Sequence, residues 1–428
     1  MKRSILLLVA GFMVACSQDI ELGSDNFVRE YGRTGSASIK GIYELEAGGQ
    51  LLLCGYQTKS RFVSENSVGQ VNNQGVTERT NFIALCDNQG RLLREINIPV
   101  SDIVYDSRID LGDLSGKSWL LKIFPREGGY LAMGEFRNFP IDIDLPGDDD
   151  LRIEGSGNNL PYLIYLNSNF ELERIWHPNQ AIPWDFQLHA NGVLKEKPNR
   201  DGFIFMTGFN TDLQGIIGMQ LFELDARGNI SQTRNYYPSA NPAFARDFSY
   251  TPDGNILAIG SQNRNYSLFE FDINSLTLIK RQIFAPETEP EFNNNPFLIE
   301  TLDNGEYMGF YTDPTQLSYQ IDFDQQYNAS VPEDMEPTLD DIYPVESLVC
   351  ANGDVLMYAN NLSNSVSEAG ILYRLAPDGS LVFRKAYSQS IEDIYETADG
   401  SLLVSTEVIT RDGITKAYLT KYNADGSL

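Results

Sequence analysis

The chain has 428 residues, with 59 acidic against 32 basic side chains and a formal charge of −27 at pH 7. A surface that acidic repels phosphate backbones and anionic head groups, which excludes nucleic acid as a partner and electrostatic binding to a membrane surface. Two His and four Cys, without Cys-x-x-Cys or His-x-x-x-His spacing, leave zinc or haem no ligand set, so no metal centre or cofactor is expected.

In chain order, Lys2 and Arg3 precede an apolar run over residues 5–14 that is too short to span a bilayer as a permanent helix. The run ends in Met13-Val14-Ala15-Cys16, which resembles the lipobox of bacterial lipoproteins. The resemblance implies that residues 1–15 are a signal peptide and that Cys16 becomes a lipidated N-terminus carrying palmitate. Removing Lys2 and Arg3 takes the formal charge from −27 to −29. Ser17 directly after the Cys resembles outer-membrane sorting, and Asp19 and Glu21 resemble the surface-export signals of Bacteroidota lipoproteins. The expected location is therefore the outer membrane, at the cell surface, with the lipid as the sole membrane contact. Residues 16–25 are expected to be the tether, with Gly23 to Asp25 closest to the folded part.

From residue 26 onward one phrase recurs: a turn Gly, a run of apolar and β-branched residues, a second strand, a second turn, and usually a third strand. The first-turn glycines are Gly49, Gly129, Gly202, Gly254, Gly305, Gly353 and Gly400. Their spacings are 80, 73, 52, 51, 48 and 47 residues. The last four match the roughly 40–50-residue period of a propeller blade, and the first two leave room for insertions of about 25–30 residues. Gly55, Gly208 and Gly260 each fall six residues after their turn Gly, and Gly134 falls five after its own. The second turns are Asp87-Asn88-Gln89-Gly90, Asn167-Ser168-Asn169, Asp225-Ala226-Arg227-Gly228, Asp272-Ile273-Asn274, Asp322-Phe323-Asp324, Pro377-Asp378-Gly379 and Asp425-Gly426. Asp and Asn open such turns, and Gly supplies the positive φ that they need. The expected fold is all-β, a seven-bladed β-propeller over residues 26–428. The seventh unit stops before its outer strand, and Asn26-Phe27-Val28-Arg29-Glu30-Tyr31 reads like the outer strands Leu92-Leu93-Arg94-Glu95-Ile96 and Leu381-Val382-Phe383-Arg384-Lys385-Ala386-Tyr387. The N-terminal strand is therefore expected to complete the last blade and close the ring.

Three stretches depart from the repeat. Residues 139–155 hold Asp142, Asp144, Asp148, Asp149, Asp150 and Glu154. Such a loop can chelate calcium, which takes six to eight oxygens, or simply be a solvated acidic surface. Residues 174–189 hold Trp176, Trp184, His177 and His189. Trp176 falls in an outer strand and is expected to pack. Trp184, Asp185 and His189 fall in the link to the next innermost strand, where a Trp either stacks on a sugar or partner side chain or wedges between blades. Finally, Lys40, Lys122, Arg246, Asp247, Glu346, Glu392 and Asp393 lie seven to nine residues before their turn Gly, on strands that face the axis. They either bind a polar ligand or line water. Glu392 and Asp393 are expected on opposite faces of their strand, unable to act as a glycosidase pair.

Cys54 and Cys86 lie on adjacent strands, but antiparallel register offsets them, so two packed thiols are favoured over a disulfide. No Gly-x-Ser-x-Gly, P-loop or His-Glu-x-x-His occurs, nor the Ser-x-Asp-x-Gly-x-Thr-Trp boxes of sialidase propellers. From Cys16 onward the chain resembles propeller lipoproteins of the Bacteroidota cell envelope. The resemblance implies a non-catalytic surface lipoprotein, a binding or scaffold subunit of an outer-membrane protein complex. Two other readings stay open: a glycan-binding or glycan-active propeller of a polysaccharide utilisation system that captures a surface polymer, and a periplasm-facing outer-membrane assembly factor. The ligand-binding candidates are Trp184, Asp185, His189, Arg246 and Asp247, with no catalytic residue assigned.

Overall fold

The computed structural model describes residues 20–22, 26–31, 36–45, 49–61, 76–99, 109–110, 118–137, 141–143, 151–153, 159–178, 188–211, 216–236, 243–262, 265–284, 297–312, 317–335, 342–361, 368–410 and 414–428. Seven antiparallel sheets, six of four strands and the last with a fifth added at its edge, pack face to face around a central axis, forming a seven-bladed β-propeller. The innermost strands of blades 1 to 7 are Ala37–Glu44, Ser118–Arg126, Leu188–Glu196, Ala243–Tyr250, Phe297–Thr301, Ile342–Val349 and Ser390–Glu396.

Each second strand is covered on both faces by neighbouring blades, and its composition reflects that burial. Ile256–Gln262 and Tyr307–Thr312 are buried at every position, so they read as continuous apolar runs rather than alternating ones. Burying each large side chain there stabilises the fold by about 1.5–3 kcal/mol. Outer strands meet solvent, and Leu92, Leu93, Leu381 and Val382 are about half exposed.

The ring closes as the sequence predicts. Asn26–Tyr31 pairs with the last strand of the chain, Thr415–Tyr422, in the register Val28↔Thr420. A further short strand, Ile20–Leu22, pairs outside it, so the last blade has five strands. Blade 5 has the shortest outer strand, Glu333–Asp334. It comes directly after Val331-Pro332, and Pro332 has no N–H to give a ladder.

Innermost-to-second and third-to-outer connections are tight turns at one end of each blade. The connections at the other end include the long insertions, such as 62–75 in blade 1 and 138–158 in blade 2. Ile109–Asp110, Ile141–Ile143 and Leu151–Ile153 form a separate three-stranded sheet.

The third-to-outer turns explain where Gly is and is not required. All seven place one residue at positive φ: Gly90, Phe170, Gly228, Leu276, Tyr327, Gly379 and Gly426. Where Gly stands, the preceding blade fills the seam. A Cβ on Gly90 would meet the Phe27 ring at 2.6 Å, and one on Gly426 the Phe383 ring at 3.2 Å. Where no such side chain arrives, the turn residue fills the seam itself. Phe170 stacks on Tyr130 at 4.2 Å, Leu276 is fully buried, and the Tyr327 hydroxyl donates to Glu270 of blade 4 at 2.8 Å. Packing there offsets the cost of left-handed backbone, about 1–2 kcal/mol per residue. Two first turns also differ from expectation. Gly128, not Gly129, takes positive φ in blade 2, which restores the six-residue spacing to Gly134, and Arg200 takes it in blade 3.

Candidate functional site

Six of the seven innermost strands carry a one-residue β-bulge at the same level, and only blade 5 runs through without one among the described residues. A bulge inserts an unpaired residue and re-aims the side chains beyond it. It also explains the glycines six positions into the second strands. Opposite the bulge, the inner-strand carbonyl swings in so far that a Cβ on Gly55 would sit 1.9 Å from the Ser38 oxygen. One on Gly260 would sit 2.0 Å from the Phe244 oxygen. In blades 1 and 4 that Gly is the sequence trace of the bulge, whereas Ala359 and Thr406 hold the same place in blades 6 and 7.

Just past the bulge, Asp247 and Asp393 play one role in blades 4 and 7. Asp247 Oδ2 accepts the Ile299 N–H of blade 5 at 3.1 Å, and Asp393 Oδ2 accepts the Ile42 N–H of blade 1 at 2.6 Å. Each latches its blade to the next. Their other oxygens take lysines of other blades: Lys195 Nζ of the neighbouring blade 3 reaches Asp247 at 3.0 Å, and Lys122 Nζ of blade 2 reaches Asp393 at 2.7 Å. Lys122 also pairs with Glu346, while Lys40 pairs with Glu392 and lies 3.5 Å from Glu407.

These contacts set the protonation balance. Burial opposes the charge on Lys122, but Asp393 and Glu346 outweigh it and hold its pKa above the usual lysine range. Burial lifts Asp393, with Lys122 pulling it back. Burial likewise pushes Glu300 up to about 7 against the pull of Lys195. Ser347 Oγ donates to this carboxyl at 2.8 Å. Bases from blades 1 to 3 are thus neutralised by acids from blades 4, 6 and 7.

Glu392 and Asp393 do not obey the alternation expected of strand neighbours. Glu392 is the bulge residue, so both carboxylates turn toward channel lysines, Lys40 and Lys122. Lys195 joins the channel set although it is not among the residues singled out by spacing. It lies seven residues before Gly202, so the same spacing rule is the signal that finds it. Glu300 falls outside that window, and Glu407 sits on a second strand, beyond the reach of a rule for innermost strands.

Arg246 is different. It is the bulge residue of blade 4, its guanidinium carbon 5.1 Å from the Phe244 ring centroid. Its Nε is buried without a hydrogen-bond partner, and no carboxylate among the described residues forms an ion pair with it. Burial pushes its pKa down to about 10, with Glu135 of blade 2 opposing, so it remains charged at neutral pH.

The other candidates are scattered. Trp184, Asp185 and Cys16 lie outside the described residues. His189 belongs to the innermost strand of blade 3, opposite Phe209, and its side chain lies outside them too. The acidic stretch contributes only Ile141–Ile143 and Leu151–Ile153, and among the described residues no group of three metal-ligating side chains converges. Trp176 packs edge-on against Phe222 of blade 3 at 5.0 Å. Cys54 and Cys86 are free thiols: Cys86 pairs with Leu51 and Cys54 with Ile83, which keeps them apart. A shallow cleft of about 170 Å³ opens at the seam of blades 7 and 1, where Glu44 holds the Ala398 N–H and Lys421 holds Asp399.

No family model matches the chain, and no curated protein does. Solved propellers share its outline. A structure described as the Dos1 propeller is 9% identical with a TM-score of 0.48, over 93% of this chain and 95% of that one. A protein of unknown function from Dyadobacter fermentans is 11% identical with a TM-score of 0.45, over 92% and 99%. A NanB sialidase mutant from Streptococcus pneumoniae is 11% identical with a TM-score of 0.45, over 95% and 72%.

Proposed function

We propose that this chain is a non-catalytic binding subunit, a propeller held at the outer membrane through a lipid on Cys16 and docked to an outer-membrane protein complex. The observation that carries the reading is how the channel carboxylates are used. Asp247, Asp393, Glu346 and Glu392 are each occupied by a lysine or a backbone N–H of another blade, which suits a rigid ring better than proton transfer. Long connections gathered on one face supply adaptable contact surface on a stiff scaffold, the usual division of labour between loops and sheets. The acidic surface leaves the lipid as the attachment to the membrane.

The test is affinity purification of the tagged protein from mild-detergent outer membranes, with mass spectrometry of the proteins that co-elute. A stoichiometric membrane protein supports the subunit reading. Elution alone, with no loss of membrane attachment in Cys16→Ser, overturns both the partner and the anchor.

A further inference from the structure

The level of the bulges around the channel has an uneven chemistry. On one side, Lys40 of blade 1 and Glu392 of blade 7 neutralise each other across the closing seam. Arg246 stands on blade 4, opposite that seam in a ring of seven. The bulge residues between them include Val345 of blade 6, which is 44% exposed although its strand lies innermost, whereas Leu121 of blade 2 packs back against the core between blades 2 and 3. An apolar side chain facing the axis gains nothing from water, and neither does a guanidinium whose Nε finds no acceptor.

The channel's other described bases show how this protein normally treats a buried cation. Lys40, Lys122 and Lys195 each have a carboxylate at hand. Leaving a buried donor unmet costs roughly 1–3 kcal/mol, and more when the group is charged. The Asp beside Arg246 does not repair this: its oxygens meet Lys195 and the Ile299 N–H, and it forms no ion pair with Arg246. Arg246 also sits three residues in from Ala243, the first residue of its strand, and so toward one mouth of the channel.

We propose that Arg246 binds the carboxylate of a small molecule or chain end whose remainder is apolar, with the guanidinium taking the charge and Val345, exposed at the same level, meeting the body. A planar guanidinium offers two parallel N–H donors to a carboxylate, which a lysine does not. The proposal rests on reading the propeller as a binding module, but not on its anchor or protein partner.

The test uses purified full-length protein and 4-methylpentanoate as the probe, with its neutral amide as the control. Arginine Nε–H signals are followed by NMR, and the Arg246 signal is assigned by its loss in Arg246→Lys. The expected result is a saturable shift of that signal with the carboxylate and none with the amide. Affinity should be roughly tenfold to a hundredfold weaker in Arg246→Gln and partly retained in Arg246→Lys. No saturable shift in the unsubstituted protein, equal shifts with acid and amide, or unchanged affinity in Arg246→Gln would each overturn the proposal. None of these outcomes bears on whether a membrane protein co-purifies, so the two readings fail separately.

Discussion

The Tyr31 hydroxyl donates to the Gly90 carbonyl at 2.6 Å, joining a strand that belongs to blade 7 with a turn that belongs to blade 1. Arg29 Nε makes a parallel contact to the Gln89 carbonyl at 2.9 Å, and Phe27, fully buried, covers the Gly90 Cα. These three side chains make the closing strand a clamp on both sides of the seam. Phe27→Ala should cost about 3–5 kcal/mol and Tyr31→Phe about 1 kcal/mol, measured by guanidinium unfolding. A loss below about 1 kcal/mol in Phe27→Ala would mean that the seam is held elsewhere.

Two glycines of blade 4 separate crowding from backbone conformation. Gly254 is at φ +85° with nothing within 4 Å of a Cβ, whereas a Cβ on Gly260 would lie 2.0 Å from the Phe244 oxygen. Gly254→Ala should cost about 1–2 kcal/mol through its left-handed backbone alone. Gly260→Ala must displace the bulge, and should cost about 3 kcal/mol or more. Thermal unfolding of the pair checks the order, and equal costs would refute the bulge as the reason for that Gly.

The channel pairs predict a coupling. Lys122→Met leaves Asp393, which has no exposed surface, without its cation, and should cost about 3–5 kcal/mol. Adding Asp393→Asn, which keeps an acceptor for the Ile42 N–H, should recover a large part of that loss. A double-mutant cycle showing additive losses would mean that the pair is not coupled.

Glu300 gives a pH dependence with a definite sign. Its pKa of about 7 in the folded state exceeds the ordinary 4.5, so between those values the folded chain holds more protons than the unfolded one. Its contribution is most favourable below pH 4.5 and is lost as the pH rises through 7. Glu300→Gln keeps an acceptor for Ser347 and removes the titration. Relative to the parent, it should gain on the order of 1–3 kcal/mol between about pH 4.5 and 8. A pH-independent difference in denaturation midpoints would be inconsistent with this.

The buried thiols should be inert. Burial pushes Cys86 up to about 11 and Cys350 up to about 12, and Cys54 higher still. Thiolate, the reactive form, is then scarce at neutral pH. Iodoacetamide should label none of the three in the native protein and all three in denaturant. Labelling of Cys54 before unfolding would contradict its burial.

The blades were legible because each repeats one phrase, and the Asp- and Asn-opened turns recur where the carboxylate or amide oxygen takes two turn N–H groups, as Asp87 does from Gln89 and Arg91. The turns that end in Phe170 and Leu276 were legible from Asn167 and Asp272 although Gly is missing, whereas the turn read at Asp322-Phe323-Asp324 in fact runs from Asp324 to Tyr327, with Asp322 and Phe323 still in the strand. The charged inner row was legible from spacing, but its meaning was not. Which lysine meets which carboxylate depends on the ring's closure, which brings Lys40 beside Glu392 from opposite ends of the sequence. Alternation misplaced Glu392 because a bulge breaks the two-residue period that the rule assumes.

The pairing of Asn26–Tyr31 with Thr415–Tyr422 also governs when the fold can be finished. A chain made from its N-terminus can seat Phe27 against blade 1 early, but the strand that carries it must wait for its ladder partner until nearly every other described residue exists. Contacts between such distant segments are the slowest to form, and a waiting apolar strand is open to wrong partners in the meantime. Synthesis of the last eight-residue strand is therefore the event that commits this protein to its native state, and truncations near residue 415 should leave a nearly complete chain that cannot lock.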